Sequence, residues 1–547
     1  MPVLPSVPHE NAALHDRAMK WFCMSERDSR WVRWAFVLVA ALYFICLGML
    51  GTGPINRFGN DALVLLDGGW RLLSGQIPYR DFYLALGPLE FLIMAGGMLL
   101  THGSPQGIAI GNVAFGITVG VWGWLLSRGR MPAVPALIVT AWLILTATSP
   151  TPLGSSWKVM SCGMIYNRHG YALLGIVLLE CAFASERSRF WGGVSSGIAL
   201  ILLAFLKLNF FGVAFLLLLA TVPVRREEMQ RAWGILAGVV CTVAAFSLYL
   251  RLAISAFLSD MLFATRARGS SLSFSGMIGD IAGSAEMATL AVITVVAALL
   301  VSRGKLWQSH AVRLMLLGCI VIATADPLRY TNALETRFQL AKMWTAILLG
   351  LLAAAYPQAK EKMAIFAVVA FGMGGIATQF FLDAESVRTL LRYQAPSVRA
   401  MGATIIGDGM ERLRFYDSGD TGGDSSVDNN HFYVACVNDG LALLTRSSTP
   451  EESVLTLGFH NPFSYLLRRK PAVGGSPFLL VGNSIGTTQL LEPSRVFGNA
   501  DLIMAPHYPS SHLKSDLWIE NAYQPYLSQH FSFVASTQWW SLYRRNK

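Results

Sequence analysis

The sequence predicts a polytopic α-helical membrane protein with about eleven spans, interfacial helices and a small C-terminal extracytoplasmic α/β domain. Hydrophobic residues make up 53% of the 547-residue chain and charged residues only 14%, whereas a typical soluble domain has about 25% charged residues. Long uncharged runs approach or exceed the roughly 17–25 residues that cross a bilayer. After Leu382 the apolar runs become short, which indicates a change of domain.

Three regions follow from this pattern. We expect a cytoplasmic N-terminal segment at 1–31, a transmembrane domain at 32–382 and an extracytoplasmic domain at 383–547. The predicted spans are residues 32–51, 108–127, 133–149, 170–186, 190–206, 208–224, 233–255, 285–302, 312–326, 343–358 and 363–382.

Short basic connectors predict the orientation of the chain. They lie at residues 128–130, 187–189, 225–231, 303–305 and 360–362. Neighbouring connectors are separated by two spans, so all face the same side, which arginine and lysine enrichment identifies as cytoplasmic. The formal charge of +10 fits anchoring on anionic membrane lipid. Because no basic stripe interleaves with aromatic residues, nucleic acid is not an expected partner.

The first extracytoplasmic loop is predicted to be long. Three apolar stretches lie between Arg33 and Arg128, and three crossings would place the N-terminal cations on the wrong side. The middle stretch, residues 84–100, contains Pro88, Glu90 and three glycines. We therefore expect it to lie along the interface, which makes residues 52–107 one external loop with interfacial helices.

The C-terminal region has strand-like runs at residues 454–457, 478–481, 502–504 and 531–535, between helical patterns and turns. An odd number of predicted spans separates this region from the cytoplasmic N-terminal segment, so we expect it outside the cytoplasm. It contains no N-x-Ser/Thr sequon, which favours a bacterial periplasm and a multi-pass protein of the cell inner (plasma) membrane. We expect an acceptor-facing or stabilising module there and assign it no site residue.

The unusual polar residues are expected on one face of the membrane. Asp61 in the first loop is the candidate catalytic base, because a carboxylate can take the proton of an acceptor hydroxyl. Arginines and lysines at an interface can hold a phosphate that leaves with its lipid. The candidates for binding the donor or its phosphate are Arg80, Asp81, Arg168, His169, Lys207, Arg329, Arg337 and Lys342.

The first-loop acid, the segment G-x-x-PYRDF at residues 75–82 and the proline-led stretch after it resemble the GT-C superfamily of membrane glycosyltransferases. Its members include protein O-mannosyltransferases and the aminoarabinose transferase of lipid A. The resemblance covers mainly residues 30–170. It implies a polyprenyl-phosphate-linked sugar donor, an inverting transfer on the outer face and Asp61 at the catalytic position. The acceptor would be an extracytoplasmic glycolipid, polysaccharide or protein.

The sequence departs from this family in two places. Asp61 has Asn60 and Ala62 as neighbours, where many members carry adjacent acids. The loop at 164–174, MIYNRHGYALL, has no carboxylate. Residue spacing therefore does not support a divalent metal, and no cofactor is expected.

Alternatives remain open for each candidate. Asp61 could cap a helix that starts at Ala62. Arg80 and Asp81 could pair with each other, and the remaining cations could anchor lipid headgroups at span ends. Alternative functions are a transporter or flippase of a lipid-linked or anionic solute, a surface-polysaccharide polymerase or ligase, and a non-catalytic scaffold.

Overall fold

A computed structural model describes most of the chain. It covers residues 30–50, 53–153, 155–183, 189–221, 229–268, 284–302, 309–331, 339–355, 362–417, 429–510 and 512–547. The side chains of residues 309–310, 326, 329–331, 362–376 and 379 are not described.

Helices dominate the fold. In chain order they are α1 Arg30–Leu50, α2 Gly59–Leu73, α3 Leu89–Leu100, α4 Gly107–Ser127, α5 Ala133–Thr148, α6 Ile165–Ala182, α7 Arg189–Ala204, α8 Leu208–Leu219, α9 Met229–Tyr249, α10 Ile254–Arg268, α11 Ala285–Val301, α12 Ser309–Thr331, α13 Gln339–Ala355, α14 Lys362–Tyr393, α15 Pro396–Arg399, α16 Asn430–Ser447, α17 Phe463–Leu466, α18 Pro493–Phe497 and α19 Leu513–His530. The strands are β1 Pro54–Ile55, β2 Arg414–Phe415, β3 Val454–Thr456, β4 Leu502–Pro506, β5 Phe531–Ser536 and β6 Trp540–Arg545. The predicted helical class is confirmed.

Three of the described helices, α1, α4 and α9, are long and apolar enough to cross a membrane. Several others are apolar but have 10–17 residues. The number of eleven spans therefore stays a prediction, as does the orientation of the chain. Helix α3, which covers most of the stretch expected at the interface, has 12 residues. At 1.5 Å per residue it is shorter than the roughly 30 Å hydrocarbon core.

Helices α7 and α9 pack closely because glycines face each other. Gly193 and Gly197 of α7 lie against the backbone of α9, and Gly234 and Gly238 of α9 lie against that of α7. A Cβ atom on Gly234 would come 2.0 Å from the carbonyl oxygen of Phe190. Small residues at this four-residue spacing let helix backbones approach within a membrane.

The C-terminal strands form one small sheet in the order β3-β4-β6-β5. Strand β3 runs parallel to β4, while β6 is antiparallel to both β4 and β5. Three of the four expected strands are present. The fourth expectation, residues 478–481, was wrong, because this stretch makes only isolated bridges through Phe478 and Val481. Strand β6 was not expected from the sequence.

Helix α2 of the first loop is joined to the C-terminal region by a buried ion pair. Arg71 Nε donates to Asp67 Oδ2 at 2.8 Å, and both side chains are fully buried. Asn461 Nδ2 donates to the other carboxylate oxygen at 3.2 Å. Arg71 Nη1 donates to the carbonyl oxygens of Ala472 at 3.3 Å and Gly474 at 3.0 Å. The orientation of α2 therefore depends on residues almost 400 positions later in the chain.

Replacing Gly234 by alanine should destabilise the protein by about 1–3 kcal/mol, because the new methyl group overlaps the α7 backbone. The matched control is Gly212→Ala in α8, where an added Cβ meets open space. Thermal unfolding of both variants in detergent measures the difference. Equal melting temperatures for the two variants would contradict the close contact between α7 and α9.

Candidate active site

A cavity of about 560 Å³ lies between the first loop, the ends of several helices and the C-terminal region. Its walls are largely apolar, including Leu65, Phe91 and Met261, and its charged lining residues are Asp61, Glu90 and Lys207. A mostly apolar pocket with a few converging polar groups is the usual form of a small-molecule site.

Asp61 lies in the first turn of α2, which begins at Gly59. The alternative of a helix cap at Asp61 was wrong: the capping position is Phe58, and no side chain makes a capping hydrogen bond there. The carboxylate is surrounded by protein but keeps part of its surface open to the cavity. Burial raises the pKa of Asp61 to about 7. No hydrogen bond or ion pair of this carboxylate with another described residue offsets that burial.

A glycine and two residues in left-handed backbone conformation surround this carboxylate. A Cβ atom on Gly163 would lie 2.9 Å from Asp61 Oδ2, so any larger residue would displace the acid. Phe58 and Met164 both line the cavity and both have left-handed backbone conformations, with φ of 53° and 52°. Such conformations are uncommon for bulky side chains and often lie at functional sites.

Lys207 stands at the start of α8 and is largely buried. Its Nζ atom donates to Asn167 Oδ1 at 3.1 Å and lies 5.0 Å from the centre of the Tyr166 ring. The amide oxygen and the aromatic face both attract the ammonium. Lys207 thus brings a cation to the cavity wall that also carries Asp61.

His169 is held within a buried polar group. Its Nδ1 atom lies 2.8 Å from Glu90 Oε2, and its Nε2 atom lies 2.9 Å from Asn112 Oδ1. The Phe115 ring packs 4.2 Å away. Glu90 reaches the cavity, and its buried Oε1 atom has no hydrogen-bond partner among the described residues. Sequence reasoning treated Glu90 only as a sign against membrane crossing and missed it as a cavity residue.

Arg168 turns away from the cavity and supports the loop behind it. Its Nη1 atom donates to the Ser149 carbonyl at 2.6 Å, and Nη2 donates to the carbonyls of Ser161 at 2.7 Å and Gly163 at 3.3 Å. The guanidinium therefore fixes the backbone that packs against Asp61.

Of the other predicted donor-binding residues, Arg80, Asp81 and Lys342 do not line this cavity. Arg80 and Asp81 pair with each other through contacts of 2.8 and 2.7 Å, and Arg80 is exposed. Arg329 lies in α12 without a described side chain, and Arg337 falls outside the described residues. Lys342 lies in α13, away from the cavity lining.

The C-terminal region closes the cavity with residues that sequence reasoning missed. They are Phe459, Phe478, Leu480, Asn483 and His512. The rings of Phe459 and His512 stack at 3.8 Å. No local pattern marks these positions, because they reach Asp61 only through the fold.

An adjoining cleft shares Phe58, Phe459 and His512 with this cavity. Tyr433 donates to or accepts from His460 Nε2 at 2.7 Å. Burial lowers the pKa of His460 to about 3 and that of His512 to about 4, and it raises the pKa of Asp516 to about 7. Both imidazoles are therefore neutral near pH 7. Within the described part of the chain, no group of three or more His, Cys, Asp or Glu residues is arranged to hold a metal ion.

Comparison with known proteins gives a structural likeness. The chain is similar to solved structures of a GT-C enzyme. These are crystal structures of ArnT from Cupriavidus metallidurans bound to undecaprenyl phosphate, with a TM-score of 0.48 and 13% identity, and in the apo state, with a TM-score of 0.44 and 14% identity. Each alignment covers 94% of this chain and 98% of the other. ArnT is the lipid A aminoarabinose transferase. No protein-family model and no curated protein sequence matches.

Asp61→Asn should stabilise the folded protein above pH 7. Because the folded state raises the pKa of this acid from 3.8 to about 7, its contribution to stability falls as pH rises between these values and stays low above them. The gain should be about 1–2 kcal/mol at pH 8.5, less than the full shift implies because the carboxylate is partly open to water. It should largely disappear at pH 4.

Thermal unfolding of wild type and variant at both pH values measures this difference. Asp408→Asn, which changes an exposed carboxylate outside the cavity, is the control. A destabilised Asp61→Asn protein at pH 8.5 would refute an unfavourably buried charge.

Proposed function

We propose that the protein is a membrane glycosyltransferase that moves a sugar from a polyprenyl-phosphate donor to an extracytoplasmic acceptor. The observation that carries the proposal is the buried Asp61 carboxylate, whose pKa lies near 7 and which shares a cavity with Lys207. A general base works best when its pKa lies close to the operating pH.

In the proposed reaction, the acceptor hydroxyl oxygen attacks the anomeric carbon of the donor sugar. The bond from this carbon to the phosphate oxygen breaks, and the bonding electrons leave with the lipid phosphate. Asp61 takes the proton of the attacking hydroxyl. One displacement without a covalent enzyme intermediate inverts the anomeric centre, and a single carboxylate acting as base is sufficient for it.

Lys207 is proposed to bind the leaving phosphate. Negative charge grows on the phosphate as the sugar departs, and a fixed cation in a water-poor cavity stabilises that charge more than it would in water. The contacts of Lys207 with Asn167 and Tyr166 hold the ammonium in place. His169 and Arg168 would act behind the site, through Glu90 and the Gly163 loop respectively.

The apolar walls of the cavity support a lipid-linked donor over a soluble sugar nucleotide. Leu208, Met261 and Ala264 line the side contributed by α8 and α10. An isoprenoid chain gains free energy from leaving water along such a surface, at about 25 cal/mol per Å². We propose that the lipid lies on this side and the acceptor enters from the C-terminal side, past Phe459 and His512. The remaining predicted cations, Arg329, Arg337 and Lys342, stay sequence-based candidates for donor binding.

Asp61→Asn should lower the transfer rate by about 10²–10⁴-fold, because the amide cannot accept the hydroxyl proton. Glycolipid product is measured by mass spectrometry after purified protein is incubated with polyprenyl-phosphate sugar and membrane acceptors. Asp408→Asn should transfer at the wild-type rate. If Asp61→Asn formed as much product as wild type, the catalytic role would be refuted. If the wild-type protein moved lipid between leaflets without transferring sugar, the protein would instead be a flippase.

Lys207→Met should raise the KM for the lipid-linked donor about tenfold or more and also lower kcat, because the phosphate loses its cation in both ground and transition states. Lys514→Met, at an exposed position on α19, is the matched control. Initial rates over a range of donor concentrations separate the two constants. If Lys207→Met matches the control, the donor phosphate binds elsewhere.

A further inference from the structure

We propose that a second cavity binds the phosphate group of an anionic membrane lipid. This cavity has a volume of about 190 Å³, many times the roughly 15 Å³ that one water molecule needs. It lies where the end of α1, strand β1, the end of α14 and strand β2 meet. Its lining residues are Met49, Leu50, Gly53, Pro54, Gln106, Tyr393, Gln394, Arg399, Arg412, Arg414 and Tyr416.

Three guanidinium groups converge on this space, and among the described residues none of them forms an ion pair with a carboxylate. Arg399 donates to Gln394 Oε1 at 3.5 Å, Arg412 donates to Gln106 Oε1, and Arg414 Nη1 donates to the Gly402 carbonyl at 3.3 Å. All three acceptors are uncharged. Like charges around one cavity repel each other, and an anion held between them removes that cost.

Arg414 supplies a second observation that points to an anion. Its Nε atom is buried and has no acceptor among the described residues. A buried donor without a partner costs about 1–3 kcal/mol or more when it belongs to a charged group. Two oxygens of a phosphate can accept from an Nε and an Nη atom of one guanidinium, in the two-pronged geometry that guanidinium groups favour.

The position of the cavity favours a lipid headgroup as the source of the phosphate. Helix α1 is one of the helices long enough to span, and its outward face is apolar, with Trp34 68% exposed. Met49, in the last turn of the same helix, is 71% exposed and lines the cavity. The end of such a helix lies at the depth of the phospholipid headgroups.

This site is separate from the proposed active site. The two cavities share no lining residue. The anion would connect the first loop to the C-terminal region, because Pro54 of β1 pairs with Arg414 of β2 and the two strands form part of the wall. A bound headgroup would therefore stabilise the junction between the membrane helices and the region outside them.

Ligand-dependent stability of the full chain tests the proposal. Purified protein in detergent is stripped of lipid, and its thermal unfolding is followed with added dihexanoyl-phosphatidylglycerol or with inorganic phosphate. Phosphatidylglycerol should raise the Tm of wild type, and its apparent affinity should fall about tenfold in Arg399→Gln and in Arg414→Gln. Arg392→Gln, which removes an exposed charge from the end of α14 outside the cavity, should respond like wild type.

The outcomes separate the possible ligands. A shift with phosphatidylglycerol that the two variants lose supports the headgroup site. An equal shift with inorganic phosphate, lost in the same variants, would overturn the lipid source in favour of a soluble phosphate. Equal responses of Arg399→Gln and Arg392→Gln would overturn the site itself. Arg399 is exposed and on the short helix α15, so this variant gives a result even if Arg414→Gln does not fold.

Discussion

The buried ion pair between Asp67 and Arg71 is the contact on which the candidate active site depends. Each member also forms a hydrogen bond with the C-terminal region, Asp67 with Asn461 and Arg71 with the Gly474 carbonyl. A buried pair of this kind adds little stability by itself, but removing one partner leaves an uncompensated charge. Because α2 also carries Asp61 six residues earlier, the pair determines where the carboxylate meets the wall formed by Phe459 and His512.

Two other buried acids, Glu90 and Asp260, have ionisable side chains as partners. Glu90 has His169, and Asp260 of α10 has a two-pronged contact with Arg495 at 2.7 and 3.0 Å. Asp61 lines the cavity, and loss of solvation is what raises its pKa. A carboxylate that is buried without compensation costs stability, and such costs are characteristic of functional groups. The contrast with Glu90 and Asp260 adds support for the proposed catalytic role of Asp61.

Local patterns allowed much of this architecture to be predicted. Apolar runs indicated the helices, and the adjacent charges of Arg80 and Asp81 allowed their pairing to be foreseen as an alternative. Long-range features could not be read in the same way. The contribution of His512 to the Asp61 cavity joins residues about 450 positions apart, and no local pattern encodes that contact. Strand β6 was missed because its sequence, WSLYRR, is short and partly charged, and it pairs with β4 and β5 only once they exist.

The separation of the two cavities follows from the chemistry proposed for the first. A cation paired with Asp61 would lower the pKa of the carboxylate and make it a weaker base. Arg399, Arg412 and Arg414 instead surround a different space, and the cation in the Asp61 cavity is a lysine held by Asn167 and Tyr166. A lysine ammonium attracts a phosphate as a point charge. A guanidinium would in addition form two parallel hydrogen bonds with a nearby carboxylate. In the proposed arrangement the guanidinium groups bind a lipid headgroup at a separate site, and no described residue forms an ion pair with the proposed base.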